Sequence, residues 1–210
     1  MSGIQLYNYD LDENCYRVRL ALSMLGIACK TVAMNAFPGN EHKAPAFLAI
    51  NPLGTLPVLK DEELTLFGAE AILCHLARAH GGDTGLLPAH GDAYAQVMQW
   101  LFFSAGELSV TVEARGNALL DQPGDAVALR AGARRVLRVM DDHMTARGHA
   151  GADWFVGEHA TLADIALFPA FALSRDYGVD HDEYPALRRW GRRFRTLPGF
   201  LTMPGIPDYH

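Results

Sequence analysis

The nine residues Asn51–Leu59 read NPLGTLPVL, and they carry the strongest local signal in the chain. A turn with one proline and one glycine leads into the apolar run that begins at Leu56. Proline removes a ladder hydrogen bond, so we expect Pro57 at the first residue of a strand, after a bend. The N–H and C=O of Leu56 would then be free to pair with a group outside the sheet. This geometry favours a cis Leu56–Pro57 peptide bond, although only about 5–6% of X-Pro bonds in folded proteins are cis.

The composition is that of an ordinary globular protein. The 210 residues are 50% hydrophobic and 20% charged, which is enough chain for one large domain or two modest ones. The formal net charge of −6 argues against a general nucleic-acid binder, because such domains are normally basic.

The cysteine pattern and the apolar segments limit the cellular setting. Three cysteines show no CxxC or CxxH spacing, so we expect neither a disulfide framework nor a metal site, and we expect a reducing cytoplasm. No basic-then-apolar leader precedes the first strand-like residues. The longest apolar region, Leu162–Leu173, contains Asp164 and Pro169 and is too short to span a bilayer, so no membrane partner is expected.

The first 80 residues alternate strand-like and helical patterns. Valine and leucine recur at helical spacing after Cys15, and Gly26 is placed to end that helix. The order strand-helix-strand-helix-strand-strand-helix predicts a thioredoxin-like α/β domain. Its longer elements are expected at Ile4–Tyr7, Cys15–Leu25, Ala28–Met34, Pro57–Leu59, Leu64–Phe67 and Ala69–Ala79.

The rest of the chain predicts an all-α domain. Four glycines and a proline mark residues 81–91 as a linker between domains 1–80 and 92–210. Beyond the linker nothing alternates like a strand. We expect one long helix at Ala93–Leu120, a second from Asp125 to about Arg147, a helix with a Thr161/Asp164 capping box, and a last helix at Pro185–Thr196.

Five segments resemble, in the same order, segments of bacterial cytosolic glutathione transferases. They are NCYRVRLALSMLGI, FLAINPLGTLPVL, AEAILCHLA, WFVGEHATLADIALF and YPALRRWGRRFRTLPG. The resemblance implies a thioredoxin-like domain followed by a helical-bundle domain, glutathione as co-substrate, and usually a homodimer. It also implies that Leu56, next to Pro57, pairs with the cysteinyl backbone of glutathione.

The position that usually holds the catalytic serine or cysteine of this family is Asp12 here. A serine hydroxyl donates to the glutathione sulfur and favours the thiolate, whereas an ionised Asp12 cannot donate and would raise the pKa of the thiol. The preferred alternative is that Asp12 turns to solvent or caps the following helix. Asn14 keeps an amide donor nearby, and Tyr7 or Tyr9 could supply a phenol; packing at the domain interface is the alternative for both tyrosines.

The second departure lies before the third helix. The acidic-Ser pair that holds the γ-glutamyl end of glutathione in relatives is replaced by Gly68 and Ala69, and Glu70 comes one residue late. Backbone amides remain at this helix start. Losing two charge-assisted hydrogen bonds, each worth roughly 1.5–3 kcal/mol, would weaken glutathione binding by about two to four orders of magnitude.

Two further sets of residues are implied by the resemblance. His42 and Lys43 precede the short second helix, where relatives often bind the glycine carboxylate; simple solvation is the alternative. Trp100, Phe103 and Glu107 share a helix face and could line the pocket of a hydrophobic second substrate, together with Tyr9. A core or dimer-contact role is the alternative for the aromatic residues.

The sequence thus predicts a glutathione transferase-like protein that conjugates glutathione to a small hydrophobic electrophile or performs related thiol chemistry. The rival prediction is a transferase fold that no longer catalyses and acts as a binding or regulatory protein, because the usual glutathione contacts are altered.

Overall fold

A computed structural model describes residues 3–82 and 84–206, and its first half is built on a four-stranded mixed sheet with strand order β2-β1-β3-β4. Strands β1 and β2 are parallel, with Gln5 opposite Lys30, while β3 runs antiparallel to both β1 and β4. The strands are β1 (Gln5–Asn8), β2 (Lys30–Ala33), β3 (Val58–Asp61) and β4 (Leu64–Phe67).

Three α-helices, α1 (Glu13–Met24), α2 (Pro45–Leu48) and α3 (Ala69–Ala79), and a short 3₁₀ helix at Glu41–Lys43 complete the described part of this half. The element order is the predicted one, so the thioredoxin-like α/β assignment is confirmed. Helix α1 begins two residues before the predicted Cys15, since Asp12 serves as its N-cap.

The bond between Leu56 and Pro57 is cis, as the sequence predicts. Strand β3 begins at Val58, so Pro57 directly precedes the strand instead of opening it. The turn before it is held by the fully buried Asn51, whose Nδ2 donates to the carbonyl of Thr55 at 2.8 Å and to its Oγ1 at 3.0 Å. The Oδ1 of Asn51 accepts from the N–H of Leu53 at 3.1 Å.

The second half consists of helices, as predicted: α4 (Gly91–Ala105), α5 (Ser109–Leu120), α6 (Ala126–His149), α7 (Leu162–Ala172) and α8 (Pro185–Phe194). No described helix is long and apolar enough to cross a membrane. Between α3 and α4, the described residues of 80–90 form neither helix nor strand.

The prediction of one long helix over Ala93–Leu120 is wrong, because a turn separates α4 from α5. Gly106 has a ψ of −96°, outside the helical range, and Leu108 behind it is fully buried. Glycine is a weak helix former, and burying Leu108 redirects the chain. The periodicity persists across the break, so the pattern alone gives no sign of it.

The predicted capping box at the start of α7 is confirmed. The Oδ2 of Asp164 accepts from the N–H of Thr161 at 2.8 Å. Its Oδ1 accepts from the Nε1–H of Trp190 at 2.9 Å and from the N–H of Phe155 at 3.2 Å. Asp164 has no exposed surface, so one carboxylate joins α7, α8 and the loop before α7 at the centre of the helical half.

Buried polar contacts also join the two halves. The side chain of Arg17 on α1 donates from Nε to the carbonyl of Ala166 on α7 at 2.8 Å. Its guanidinium lies 3.6 Å from Glu70 on α3, which accepts from Ser104 on α4 at 2.7 Å. Because Arg17 is buried, these contacts replace the water that a guanidinium would otherwise bind.

His181 gives the helical half a predicted dependence on pH. It is 1% exposed, its ring centroid lies 4.3 Å from that of Phe171, and burial lowers its pKa to about 4. An unfolded histidine has a pKa of about 6.5. Below that pH the histidine is protonated in the unfolded chain but stays neutral in the folded chain. The contribution to stability is therefore lost as the pH falls from about 6.5 to about 4.

We predict that, between pH 7 and pH 5, the free energy of unfolding falls by about 2 kcal/mol more in the wild type than in His181→Gln. Urea denaturation at the two pH values measures this difference, with the exposed His159→Gln as the matched control. An identical pH dependence in the wild type and His181→Gln would contradict the prediction.

Candidate functional site

A cleft of about 580 Å³ opens where the thioredoxin-like half meets the helical half. This volume is typical of a small-molecule site. Three segments of the first half and one of the second form its walls. They are the loop from β1 into α1 (Tyr9, Asp12, Asn14), residues before α2 (Ala36, Phe37, Asn40, His42, Lys43), the loop before β3 (Gly54, Thr55, Leu56), and the α5–α6 connection (Leu120, Asp121, Gln122, Pro123).

The cis-proline segment presents backbone groups to this cleft. Leu56 lines the cleft but lies outside β3, and in the described part of the chain neither its N–H nor its C=O has a hydrogen-bond partner. Unpaired backbone groups next to a strand can bind an extended chain as a strand would. Pro57 itself is buried behind Leu56 and supports the bend.

His42 and Lys43 supply the basic side of the cleft. The ammonium of Lys43 donates to the carbonyls of Gly54 at 2.7 Å and Leu53 at 3.4 Å, which fixes it against the loop before β3. Burial, followed by the charge of Lys43, lowers the pKa of His42. At neutral pH a ligand anion would therefore meet one cation, Lys43, and a neutral imidazole.

Asp12 caps α1, which is one of the alternatives that the sequence leaves open. Its Oδ1 accepts from the N–H of Cys15 at 2.7 Å. Burial raises the pKa of the Asp12 carboxyl, and the hydrogen bond from Cys15 opposes that rise. Asp12 also lines the cleft, so the same carboxyl serves the helix and faces any ligand in it.

Asn14 is the amide donor nearest to this carboxyl in sequence, and it also lines the cleft. Its Oδ1 accepts a hydrogen bond from Nη1 of Arg17. With the oxygen held by a guanidinium, the Nδ2 hydrogens are the part of Asn14 left to bind a ligand.

Cys15 is fully buried at the start of α1. Burial, with a further contribution from Asp12, raises the pKa of its thiol well above the ordinary value. The positive end of a helix can lower a thiol pKa, but here burial dominates. The protonated, enclosed thiol is unsuited to act as a nucleophile.

The two candidate tyrosines occupy different environments. The ring of Tyr7 packs edge-on against Phe47 of α2, with centroids 5.8 Å apart, and the Nζ of Lys60 lies 5.5 Å from its centroid. Tyr7 does not line the cleft, whereas Tyr9 does. The structure therefore brings Tyr9, and not Tyr7, together with Asp12 and Asn14.

The start of α3 lies outside the lining of the cleft. Gly68 is the N-cap residue with a φ of +85°, and a Cβ built there would meet no atom within 4 Å. Ala69 is buried. The carboxylate of Glu70 is engaged by Ser104 and lies close to Arg17, so it does not take the place of the acidic residue expected at Gly68.

The aromatic candidates from the long helix are not part of the cleft. Trp100 is 5% exposed and packs edge-on against Phe103, His143 and Phe155. Glu107 is exposed at the break between α4 and α5. The helical half instead contributes residues 120–123, which sequence reasoning missed; the Pro123-Gly124 helix break was the available signal.

Comparison with known proteins identifies the family of this two-part architecture. The family model described as glutathione S-transferase, N-terminal domain, matches residues 6–84, and the model for the C-terminal domain matches residues 93–198. The chain belongs to the glutathione S-transferase family. The matched regions contain every wall of the cleft described above.

Two glutathione S-transferases and the protein Ure2p are similar to this chain over nearly its whole length. Glutathione S-transferase 3 of Zea mays is 30% identical over 99% of this chain and 96% of its own length. The crystal structure of a glutathione S-transferase from Pseudomonas fluorescens has a TM-score of 0.86 at 28% identity, covering 97% of this chain and 100% of that one. Ure2p in complex with glutathione has a TM-score of 0.84 at 26% identity, covering 94% and 96%.

Because Cys15 is buried, its thiol should be inaccessible to reagents in the folded protein. We expect the native protein at pH 8 to react with Ellman's reagent at no more than two thiols, and the urea-unfolded protein at all three. Cys15→Ala should leave the native count unchanged and lower the unfolded count by one. A fast-reacting native thiol that disappears in Cys15→Ala would overturn this assignment.

Proposed function

We propose that this protein binds glutathione in the interdomain cleft and transfers it to a small hydrophobic electrophile, or performs related glutathione-dependent thiol chemistry, in the cytoplasm. The observation that carries the proposal is the unpaired backbone of Leu56 beside the cis-proline, which lines a cleft that also holds Lys43 and His42. Glutathione is an extended peptide with an anionic glycine end, so it needs these two kinds of contact.

In this proposal the cysteinyl backbone of glutathione pairs with the N–H and C=O of Leu56. Its glycine carboxylate lies near Lys43, whose ammonium is already positioned by the carbonyl of Gly54. The sulfur then lies toward the loop before α1. Structures of relatives support a glutathione site in this fold, because Ure2p has been solved with glutathione and with S-hexylglutathione.

The amide of Asn14 and the hydroxyl of Tyr9 are the donors proposed to stabilise the glutathione thiolate. Both line the cleft, and the amide oxygen of Asn14 is held by Arg17. Ionised Asp12 would oppose the thiolate; burial raises the pKa of its carboxyl, and the hydrogen bond from Cys15 opposes that rise. The thiolate would attack an electrophilic carbon, forming a C–S bond while a leaving group departs or the product takes a proton from water.

The second substrate is proposed to lie against the α5–α6 connection. Leu120 and Pro123 are apolar there, while Asp121 and Gln122 add polar groups at the same edge of the cleft. Phe37 faces the cleft from the thioredoxin-like half and is 40% exposed. An apolar electrophile would cover these surfaces and bring its reactive carbon to the sulfur.

A binding or regulatory role is the second candidate. Gly68 and Ala69 provide no side-chain hydrogen bond for the γ-glutamyl end, and Glu70 is engaged elsewhere. One structural relative is the nitrogen regulation fragment of the yeast prion protein Ure2p, at 26% identity and a TM-score of 0.83. A protein of this kind would bind a ligand weakly, without turnover.

The Gly68 position, which lies outside the lining of the cleft, tests whether bound glutathione extends to the start of α3. We predict that Gly68→Glu tightens glutathione binding at least tenfold, about 1.4 kcal/mol, relative to Gly68→Ala. Both variants share the cost of a side chain at a φ of +85°, and both find open space, so the difference isolates the added carboxylate. Isothermal titration calorimetry with glutathione measures the affinities.

Turnover with a generic aromatic chloride then separates the two candidate functions. Binding with conjugation supports the transferase, while binding without conjugation supports the regulatory protein. Failure of the wild type and of Gly68→Glu to bind millimolar glutathione would refute the glutathione assignment altogether.

We also propose a homodimer, and the exposed apolar residues suggest where it forms. Strand β4 lies at the edge of the sheet and carries Leu64 and Phe67, which are 42% and 43% exposed. Phe102 on α4 is 70% exposed. Apolar side chains of this size are common at obligate interfaces.

We predict that Phe102→Glu weakens dimerisation at least tenfold, because a charge would be buried without a partner. Size-exclusion chromatography with light scattering at several concentrations measures the effect. Val127→Glu, at a residue 76% exposed on α6, is the control and should leave the dimer intact. A wild type that is monomeric at micromolar concentration would disprove the homodimer.

A further inference from the structure

Two histidines converge on one carboxylate oxygen at the far end of α3. Asp61 is the last residue of β3, His75 lies in α3, and His80 follows the last helical residue. The Nε2 atoms of His75 and His80 lie 2.8 Å and 2.6 Å from Oδ2 of Asp61. Among residues 3–82 and 84–206, these form one cluster of three possible metal-binding side chains, with ligand atoms within 4.8 Å of one another.

The fold, and not the spacing, brings the two histidines together. Residues five apart on an α-helix point about 140° away from each other. His80 escapes this restriction because it lies at the C-cap, where its φ of −129° takes the chain out of the helix. Its ring returns to meet His75 edge-on, with centroids 5.7 Å apart.

The donor set matches that of a divalent transition metal. Two imidazole nitrogens and one carboxylate oxygen form the protein part of open zinc sites, in which water takes the remaining position. The side chains of Asp61, His75 and His80 are 13%, 20% and 33% exposed, so an ion and its water can reach them from solvent.

To hold zinc, the two imidazole nitrogens must move away from Oδ2 of Asp61 and toward each other, because the three ligand atoms now lie within 4.8 Å of one another. With bonds of about 2.0–2.1 Å and tetrahedral angles, two ligand atoms lie about 3.3 Å apart. The present Nε2–Oδ2 separations are shorter by roughly half an ångström, which is what a shared proton between each pair requires. Asp61 precedes the β3–β4 turn and His80 ends a helix, so both belong to segments that can adjust.

We propose that Asp61, His75 and His80 form a binding site for a first-row divalent cation, with Zn²⁺ the ion that their donors fit best. In the bound state each imidazole coordinates through Nε2 and carries its proton on Nδ1, so the metal replaces both hydrogen bonds to Asp61. The ion joins the end of β3 to the end of α3. None of the three residues lines the interdomain cleft, so the site stabilises the thioredoxin-like half independently of glutathione.

The test uses the full-length protein after treatment with a chelator and dialysis. Calorimetric titration with ZnCl₂ should show one equivalent bound per chain, and Co²⁺ should give the visible absorption of a low-symmetry four-coordinate ion. Zinc at a hundredfold excess over its Kd should raise the Tm by about 5–10 °C.

Single variants then assign the ligands. His75→Gln and His80→Gln should each weaken zinc binding at least hundredfold, and Asp61→Asn at least tenfold, since the amide keeps the shape but is a poorer ligand. The exposed His159→Gln should bind zinc as the wild type does. Circular dichroism and thermal unfolding in chelator establish that each variant is folded, and Asp61→Asn, the most conservative change, decides the matter if a histidine variant is not.

Zinc binding that persists in the folded cluster variants, or a wild type that binds less than half an equivalent, would overturn the proposal. The first result would place the ion at other histidines, and the second would leave Asp61 as a hydrogen-bond acceptor that only fastens the end of α3.

Discussion

The binding cleft depends on the hydrogen bonds of one buried amide, that of Asn51. Its Nδ2 and Oδ1 close the turn onto Thr55 and Leu53, and the turn delivers the cis Leu56–Pro57 bond to the start of β3. Gly54 is required inside this turn, because its φ is +57° and an added Cβ would lie 2.8 Å from the carbonyl of His42. Lys43 binds the same turn, so the basic residue and the unpaired backbone of Leu56 are positioned as one unit.

This arrangement positions the backbone of Leu56 in the cleft without help from the side chains at the start of α3. A backbone hydrogen bond depends on the path of the chain, which Asn51, Gly54 and Pro57 fix. The contacts at Gly68 and Ala69 depend on side-chain identity, and substitution there leaves the helix amides in place. Asp12 combines two positions in this way, since its carboxyl caps α1 and also lines the cleft.

Two buried charged side chains, Arg17 at the junction of the halves and Asp164 inside the helical half, are held by hydrogen bonds within the protein. Arg17 connects α1 to the carbonyl of Ala166, and Asp164 gathers the N–H groups of Thr161, Phe155 and Trp190. A buried charge without such partners would cost several kcal/mol. The hydrogen bond from Arg17 to Ala166 therefore helps to set the position of the helical half against the thioredoxin-like half, and with it the walls of the cleft.

The sequence by itself determined the order of elements, the cis-proline turn and the capping box, because each depends on residues close together in the chain, whereas it left a cap at Asp12 as one of several alternatives. It did not determine the break at Gly106, where helical periodicity continues across a change of direction that the burial of Leu108 decides. Only the tertiary structure placed Tyr9 in the cleft and Tyr7 against Phe47, and brought residues 120–123 to the ligand side. The tertiary structure also decided the contact of Asp61 with His75 and His80, because that contact depends on how β3 lies against the end of α3.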